Sequence, residues 1–283
     1  MKTQTSMDER IAFVGAGHMA GALVGGLLRT GLARPGQLTA TDVDEAQCAR
    51  FQSAHGVRTT SDKQAMLREA AVVVLAVKPQ VLGSVLAEVA PWIHAGQVVL
   101  SIAAGFPLRR IEAALPEGVP VVRAMPNMPA RIGMGITAIC AGTRAGERVM
   151  ATAETLLRSA GRVVRVSEAE MDAVTAISGS GPAYVFVWME AMLEAARGLG
   201  LNAELARELV LSTVEGAAGL AREADEEPAE LRRQVTSKGG VTAEALDVLA
   251  AAQVPNHLIR AIQAAHARAQ ALAEQIETDS PSD

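Results

Sequence analysis

Aromatic residues, cysteines and long apolar runs are all scarce in this chain of 283 residues. Aromatic side chains make up only 2% of the residues, so we expect no stacking surface for bases or sugars. The two cysteines, Cys48 and Cys140, are too few for a disulfide framework and suit a reducing cytoplasm. The apolar run that ends at Val77 is far shorter than the ~20 residues that a membrane-spanning helix needs, so no membrane partner is expected.

Strong charge of either sign is missing as well. The formal net charge is -5 and the pI is about 5.6, so nucleic acid is not an expected partner. The hydrophobic content of 49% is too high for a disordered chain. The histidines are scattered and form no HExxH motif, so no metal site is predicted. These absences indicate a folded, soluble protein of the cytoplasm.

The first half of the chain alternates short β-branched runs with helical patterns. The predicted strands are Ile11 to Val14, Gln37 to Thr41, Val72 to Val77 and Val98 to Ile102, with Val119 to Arg123 and Ile136 to Cys140 as two further candidates. Helices are predicted over Met19 to Arg29 and Asp44 to Ser53. Continuous apolar strands separated by helices are typical of a parallel sheet that is covered on both faces.

The second half carries helical patterns and no convincing strand. The predicted helices are Pro182 to Gly198, Ala203 to Glu223, Thr242 to Ala252 and Pro255 to Ile276. The composition changes near Ser167, so we predict a dinucleotide-binding domain over 8–167, a helical domain over 168–276 and a disordered tail over 277–283. The helices carry more apolar positions than one layer needs, which favours a homodimer made through this half.

The clearest motif is a glycine-rich turn between the first strand and the first helix. It reads Gly15-Ala16-Gly17-His18-Met19-Ala20. The first glycine allows a tight turn, the second lets a pyrophosphate approach the backbone, and the alanine permits close helix packing. The helix N-terminus attracts the phosphates. A Rossmann-type, doubly wound α/β fold that binds a dinucleotide is therefore predicted.

Two charged residues bear on which dinucleotide is bound. Asp42 lies at the end of the second strand, directly after Thr41. A carboxylate at this position accepts hydrogen bonds from the ribose hydroxyls and repels a 2′-phosphate. Lys63 lies on the next strand-to-helix connection, where it either offsets that repulsion or is an ordinary surface lysine. The choice between NADPH and NADH stays open.

Three further loops have the chemistry of ligand sites. The loops of Ala76, Val77, Lys78 and Pro79 and of Ala103 and Ala104 follow strands, so both should border the cofactor. In the helical half, Ser237, Gly239 and Gly240 precede a helix that begins near Thr242. Such a helix start either binds a carboxylate or phosphate or is an ordinary N-cap.

Together these segments resemble pyrroline-5-carboxylate reductases. The matching segments are GAGHMA at 15–20, AVKPQ at 76–80, SIAAG at 101–105, RAMPNMPARIGMGITA at 123–138, DAVTAISGSGPAYVF at 172–186 and PAELRRQVTSKGGVTAEALDVL at 228–249. They follow the family's order and cover nearly the whole chain after residue 10. The chain departs from the family at Lys238, where proline is common, at Val241, where threonine or alanine is usual, and at Lys63, where asparagine is frequent.

The resemblance implies reduction of Δ1-pyrroline-5-carboxylate to L-proline with NADPH or NADH, by a Rossmann domain followed by a helical dimerisation domain. It also implies larger rings of dimers. Substrate contacts then fall on Glu168, Ser237, Gly239, Gly240, Val241 and Thr242. Cofactor contacts fall on Gly15 through Ala20, on Thr41, on Ala76, Val77 and Lys78, and on Ala103 and Ala104, with Asn127 in the matching loop.

The reaction needs a hydride at carbon and a proton at the ring nitrogen. The Thr242 hydroxyl is the candidate proton donor, with water as the alternative source. Two other functions are weighed. A β-hydroxyacid dehydrogenase is disfavoured because no lysine lies between Lys78 and Lys238 to serve as its base. A dinucleotide sensor without turnover would not need a hydroxyl-rich anion site.

Overall fold

The computed structural model describes residues 8–278, in which an eight-stranded sheet occupies the N-terminal part. The strands are β1 Ile11–Val14, β2 Leu38–Thr41, β3 Arg58–Thr59, β4 Val72–Leu75, β5 Val98–Ser101, β6 Val121–Met125, β7 Gly135–Ala141 and β8 Gly161–Arg165. Their order in the sheet is β3-β2-β1-β4-β5-β6-β7-β8. The first six strands are parallel, and the order reverses at β1, which makes the sheet doubly wound.

Seven helices accompany the sheet. They are α1 His18–Arg29, α2 Glu45–His55, α3 Lys63–Glu69, α4 Pro79–Val89, α5 Leu108–Ala114, α6 Glu147–Arg158 and α7 Met171–Val174. A π-helical turn, Thr175–Gly179, follows α7. The helix ends carry the expected signals: Asp44 accepts a hydrogen bond from the Ala46 N–H at the start of α2, and Gly56 ends that helix with φ +64°.

The two faces of the sheet bury separate cores, and the alternation along each strand explains why. On β1, Ile11 and Phe13 pack into one core, and Ala12 and Val14 pack into the other. The first core contains the buried leucines of α1 and α6, and the second contains those of α4. Because helices cover both faces of the sheet, the central strands consist of continuous apolar residues, as predicted for a parallel sheet of this kind.

The predicted strands are confirmed within one or two residues at most ends, but the sheet is not entirely parallel. β7 is antiparallel to β6, and β8 is parallel to β7. The Val119 to Arg123 strand begins later than predicted, at Val121. Two strands were missed: β3 is only two residues long, and β8 is largely exposed.

The C-terminal part is helical. Its helices are α8 Gly181–Gly198, α9 Ala203–Glu223, α10 Pro228–Gln234, α11 Val241–Ala251 and α12 Val254–Thr278. The four predicted helices match α8, α9, α11 and α12 closely, and α10 was missed. Among residues 168–278, all of which the structure describes, no β-strand occurs.

Contacts between Cα atoms divide the described residues into two compact units. One contains 8–180 with 265–278, and the other contains Gly181–Ala264. The predicted domain boundary between residues 167 and 168 stays a prediction. Glu277 and Thr278 are the last residues of α12, the rest of the predicted tail lies outside the described residues, and its disorder stays a prediction.

The second unit leaves most of its apolar side chains exposed. Within 181–264, all described, only Ala196, Ala206 and Val210 are buried. The exposed large apolar residues of α8 include Phe186, Val187 and Trp188. Helices with so little buried surface need a covering partner.

Candidate active site

The glycine-rich turn has the geometry that the motif predicts. Gly15 has φ +103°, and its N–H donates to the Thr41 carbonyl oxygen at 2.8 Å. A Cβ atom added at Gly15 would lie 2.6 Å from the Ala76 oxygen, so only glycine fits there. Gly17 is the N-cap residue of α1, and a Cβ added there would meet no heavy atom within 4 Å from the described residues beyond its two chain neighbours and its own helix. The Ala76 carbonyl group therefore fills the space beside Gly15, whereas the space beside Gly17 is open.

A cleft of about 400 Å³ opens beside this turn. Gly17 and His18 from the start of α1 line it together with Arg50 of α2 and Arg131. The free N–H groups of a first helical turn and two guanidinium groups make the cleft suitable for anions. Arg50 and Arg131 were not predicted as site residues. Arg131 lies in the matching segment 123–138, but no spacing in the sequence places it beside the glycine-rich turn.

Asp42 contacts the glycine-rich turn directly. Its Oδ2 accepts the Ala16 N–H at 2.8 Å, and its Oδ1 accepts the Asp44 N–H at 3.1 Å. The Gln47 side chain binds the same turn by donating to the Ala16 carbonyl oxygen at 2.6 Å. Asp42, the residue directly after β2, therefore holds the turn in place, a role that sequence spacing did not predict.

Thr41, the last residue of β2, has an unpaired polar atom. The residue is 1% exposed, and its Oγ1 has no hydrogen-bond partner among residues 8–278. Buried hydroxyl groups are nearly always paired. An unpaired Oγ1 beside the glycine-rich turn fits a residue whose partner is a bound ligand.

Lys63 is the first residue of α3, and its ammonium group binds Glu88. The Nζ lies 2.7 and 2.9 Å from the two carboxylate oxygens. Glu88 is the second-last residue of α4, roughly 14 Å along the helix from Pro79 at 1.5 Å per residue. The ion pair therefore holds the Lys63 ammonium group at the C-terminal end of α4. The predicted cofactor residues Lys78 and Pro79 lie at the other end of that helix.

The two other predicted cofactor loops lie where parallel strands end. Lys78 and Pro79 begin α4 directly after β4, and the Ala76 N–H donates to the Val14 carbonyl oxygen at 2.8 Å. Ala103 is buried after β5, and Ala104 is partly exposed. Gly15, Ala76 and Ala103 thus follow three neighbouring strands at one edge of the sheet, which is where open α/β sheets bind ligands.

Asn127 holds two backbone segments together. Its Nδ2 donates to the Ser178 carbonyl oxygen at 3.1 Å, and its Oδ1 accepts the Ile136 N–H at 3.0 Å. The residue is 8% exposed. The observed contacts join the loop after β6 to the π-helical turn and to β7.

Glu168 also has contacts within the fold. Its Oε1 accepts hydrogen bonds from the Leu108 N–H at 2.7 Å and from Arg123 Nη1 at 3.1 Å.

Cys140 lies opposite Arg123 on β7, and burial raises the pKa of its thiol to about 12. Cys140 is therefore a thiol at neutral pH and a poor nucleophile.

The predicted substrate loop begins α11 in the second unit. Gly239 has φ +69°, and the Gly240 N–H donates to the Ser237 carbonyl oxygen at 3.0 Å. Gly240 is the N-cap residue, and no side chain of residues 8–278 caps the helix. Thr242 is the second helical residue, so the alternative of an ordinary side-chain N-cap is wrong for this threonine. The start of α11 exposes N–H groups that can donate hydrogen bonds to a carboxylate.

The hydroxyl of Ser178, in the segment Ser178-Gly179-Ser180-Gly181, is hydrogen-bonded to the backbone of its own helical turn. Ser178 Oγ donates to the Val174 carbonyl oxygen at 3.1 Å, as serines inside helices often do.

Among residues 8–278, no group of three or more His, Cys, Asp or Glu side chains is arranged to hold a metal ion. In the same residues, no helix is long and apolar enough to cross a membrane.

Comparison with known sequences decides the family. The profile described as "Pyrroline-5-carboxylate reductase dimerisation" matches residues 168–272. A pyrroline-5-carboxylate reductase of Pseudomonas aeruginosa is 41% identical over 268 residues, which are 94% of this chain and 98% of that protein. The chain belongs to the pyrroline-5-carboxylate reductase family. The family member of Methanosarcina acetivorans is 37% identical over 95% of this chain and 99% of its own length.

The sheet region and the fold agree with that family. The profile described as "NADP oxidoreductase coenzyme F420-dependent" matches residues 10–105. A pyrroline-5-carboxylate reductase structure from Coxiella burnetii has 37% sequence identity and a TM-score of 0.85, covering 94% of this chain and 99% of its own. The predicted fold class, a doubly wound sheet followed by a helical dimerisation region, is confirmed.

Proposed function

We propose that this chain reduces Δ1-pyrroline-5-carboxylate to L-proline with a hydride from NADPH or NADH, the last step of proline biosynthesis. The observation that carries the proposal is the glycine-rich turn, closed by Ala76 behind Gly15 and open at Gly17, in a chain of this family. Two free cysteines suit the cytoplasm, where we place the enzyme.

The cofactor is proposed to bind along the edge of the sheet where β1, β2, β4 and β5 end. The proposed contacts are Gly15, Ala16, Gly17, His18, Met19, Ala20, Thr41, Asp42, Lys63, Ala76, Val77, Lys78, Pro79, Ala103, Ala104 and Asn127. The unpaired Oγ1 of Thr41 and the open space at Gly17 support the fit. Lys63 contributes little as long as Glu88 binds its ammonium group, and Asn127 has two contacts within the protein.

The substrate carboxylate is proposed to bind the N–H groups at the start of α11, with Ser237, Gly239, Gly240, Val241 and Thr242 as the contacts. Val241 is 91% exposed, so its unusual side chain does not obstruct a contact made by its backbone N–H. For Glu168 a substrate contact stays a prediction, because its Oε1 is bound within the fold.

The chain's contribution to the reaction is positioning and one proton. A reduced nicotinamide supplies the hydride when it is bound. Holding the substrate carboxylate fixes the imine ring for transfer, which lowers the entropic part of the barrier. The Thr242 hydroxyl is proposed to hydrogen-bond the ring nitrogen and to relay a proton to it, with solvent water returning a proton to the Thr242 oxygen. Absorbance of the reduced cofactor, followed with Δ1-pyrroline-5-carboxylate present, tests the function. No turnover with either cofactor would overturn it.

Asp42→Asn is expected to shift the ratio of kcat/KM values toward NADPH by about tenfold. Asparagine keeps an oxygen acceptor for the Ala16 N–H but removes the charge that repels a 2′-phosphate. Asp42→Ser removes that charge too, and should shift the ratio the same way while holding the turn less well. Steady-state kinetics with both cofactors measure the effect.

Asp62→Asn is the matched control for Asp42. Asp62 also accepts a backbone N–H, from Ala65 at 2.9 Å, and its substitution removes the same charge from the start of α3. The ratio should change by less than about threefold in this control. Equal shifts in both variants would show that general charge, and not the ribose position of Asp42, sets the preference.

We further propose that residues 8–167 act as the dinucleotide-binding domain and 168–276 as the helical substrate-binding and dimerisation domain. The dimerisation profile covers 168–272, and the apolar side chains exposed on α8 and α9 suit a second copy of the chain. Rings of dimers are the larger assembly that we propose. No nucleic acid or membrane partner is proposed.

Phe186→Glu is expected to convert the dimer to a monomer of 29.4 kDa. Phe186 lies on α8 and is 47% exposed, and an unpaired charge inside an apolar interface costs several kcal/mol. Val81→Glu is the matched control, because Val81 is also 47% exposed but lies on α4. Sedimentation at micromolar concentration gives the mass. A wild-type protein that is already a folded, active monomer would contradict the proposed dimer.

A further inference from the structure

One carboxylate oxygen binds two segments that are far apart in the sequence. Oε1 of Glu168 accepts the Leu108 N–H at 2.7 Å and Arg123 Nη1 at 3.1 Å. Glu168 is the first residue of the 3-10 turn Glu168–Glu170, which begins three residues after the end of β8. All three residues lie in the same compact unit.

Arg123 holds this carboxylate from inside the sheet. It lies on β6 and its side chain is 5% exposed, whereas the Glu168 side chain is 40% exposed. A buried guanidinium without a carboxylate partner is strongly unfavourable. The arginine therefore needs Glu168, and its position in the sheet fixes where the carboxylate lies.

The other hydrogen-bond donor to Glu168, the Leu108 N–H, lies at the end of a predicted cofactor loop. Leu108 is the first residue of α5, and residues 102–107 connect β5 to it. The first N–H groups of a helix have no partner within the helix, and Glu168 binds one of them. The loop is thus anchored by β5 at one end and by Glu168 at the other. Between these anchors lie Ala103, Ala104 and Gly105, the last with φ +71°.

We propose that Arg123 and Glu168 are positioning residues that set the loop 102–107 for binding of the cofactor. The proposal rests on the proposed function, which assigns Ala103 and Ala104 to the cofactor. It gives Glu168 a different task from the substrate contact that the family resemblance implies. The pair acts on cofactor affinity through the backbone of the loop and touches no reacting atom.

The test compares Glu168→Ala with Glu168→Gln and a neighbour. Glutamine keeps an oxygen that can accept the Leu108 N–H, whereas alanine does not. Glu170→Ala is the matched control, because Glu170 lies on the same turn but accepts only from Ser167, at 2.7 Å from both N and Oγ. The measurements are the Kd for NADPH and NADH, the KM for Δ1-pyrroline-5-carboxylate, and hydrogen exchange of the Leu108 amide.

Glu168→Ala should raise the cofactor Kd by about tenfold and speed exchange at Leu108, while the substrate KM changes by less than about twofold. Glu168→Gln should recover most of the affinity, and Glu170→Ala should leave it unchanged. A raised substrate KM with unchanged cofactor Kd and unchanged exchange would overturn the proposal in favour of a substrate contact. Cofactor binding and exchange are measured without turnover, so they stay informative if the proposed reaction fails.

The double variant Arg123→Met and Glu168→Gln covers the case in which Glu168→Ala does not fold. It removes the buried charge together with its partner, which preserves packing better than leaving the guanidinium unpaired. The glutamine oxygen is then no longer held from the sheet. We expect weaker cofactor binding than in Glu168→Gln alone. Equal affinity in the two would show that Arg123 does not position the loop.

Discussion

Gly15→Ala is expected to lower both the melting temperature and the cofactor affinity, the affinity by about a hundredfold. The residue has φ +103°, and an added Cβ would lie 2.6 Å from the Ala76 oxygen and 2.8 Å from its carbonyl carbon. Backbone strain of this kind costs about 1–3 kcal/mol, and relieving it requires the turn to move away from β4. Thermal unfolding and a titration with NADPH measure the two effects.

Alanine variants at two other glycines distinguish backbone strain from steric obstruction of the cofactor. Gly17 has φ -74° and open space around an added Cβ, so Gly17→Ala should keep the melting temperature while its methyl group obstructs the pyrophosphate. Gly36→Ala is the control, with open space and no left-handed φ, and should change neither quantity. If Gly15→Ala bound NADPH with wild-type affinity, the turn would not be the cofactor site.

The strands that the sequence predicted best are those buried on both sides. Every residue of β1 and β4 is buried, so selection for apolar side chains at every position leaves a continuous run that is easy to recognise. β3 and β8 lack that signal. β3 has two residues, one of them exposed, and β8 carries Arg162 and Arg165 with little burial. An edge strand of this kind is defined by its neighbours and not by its own composition.

The positions of the candidate site residues were predictable, but their contacts were not. Spacing after the glycine-rich turn indicated that Asp42 lies at the end of the second strand, directly after Thr41, yet the hydrogen bond to Ala16 joins residues 26 apart. The ion pair of Lys63 with Glu88 spans 25 residues and that of Arg123 with Glu168 spans 45. Such pairs depend on how the sheet orders its strands, and one sequence carries no signal for them.

Thr242→Ala is expected to lower kcat/KM for Δ1-pyrroline-5-carboxylate by about tenfold or more, with little change in stability. A hydrogen bond to a charged group contributes about 1.5–3 kcal/mol, and tenfold corresponds to about 1.4 kcal/mol. Thr242 is the second residue of α11, and no side chain of residues 8–278 caps that helix. Removing the hydroxyl therefore breaks no cap, and the melting temperature should hold. Cofactor Kd should be unchanged.

Thr242→Ser and Thr236→Ala complete this test. Serine keeps the donor at position 242 and should retain most of the activity. Thr236 lies in the same loop, but its hydroxyl donates to the Arg232 carbonyl oxygen at 2.6 Å, so Thr236→Ala should affect stability more than turnover. Steady-state kinetics and melting temperatures of the three variants are compared. A Thr242→Ala enzyme with full activity would exclude this hydroxyl as the proton donor, and water would then be the source of the proton on the ring nitrogen.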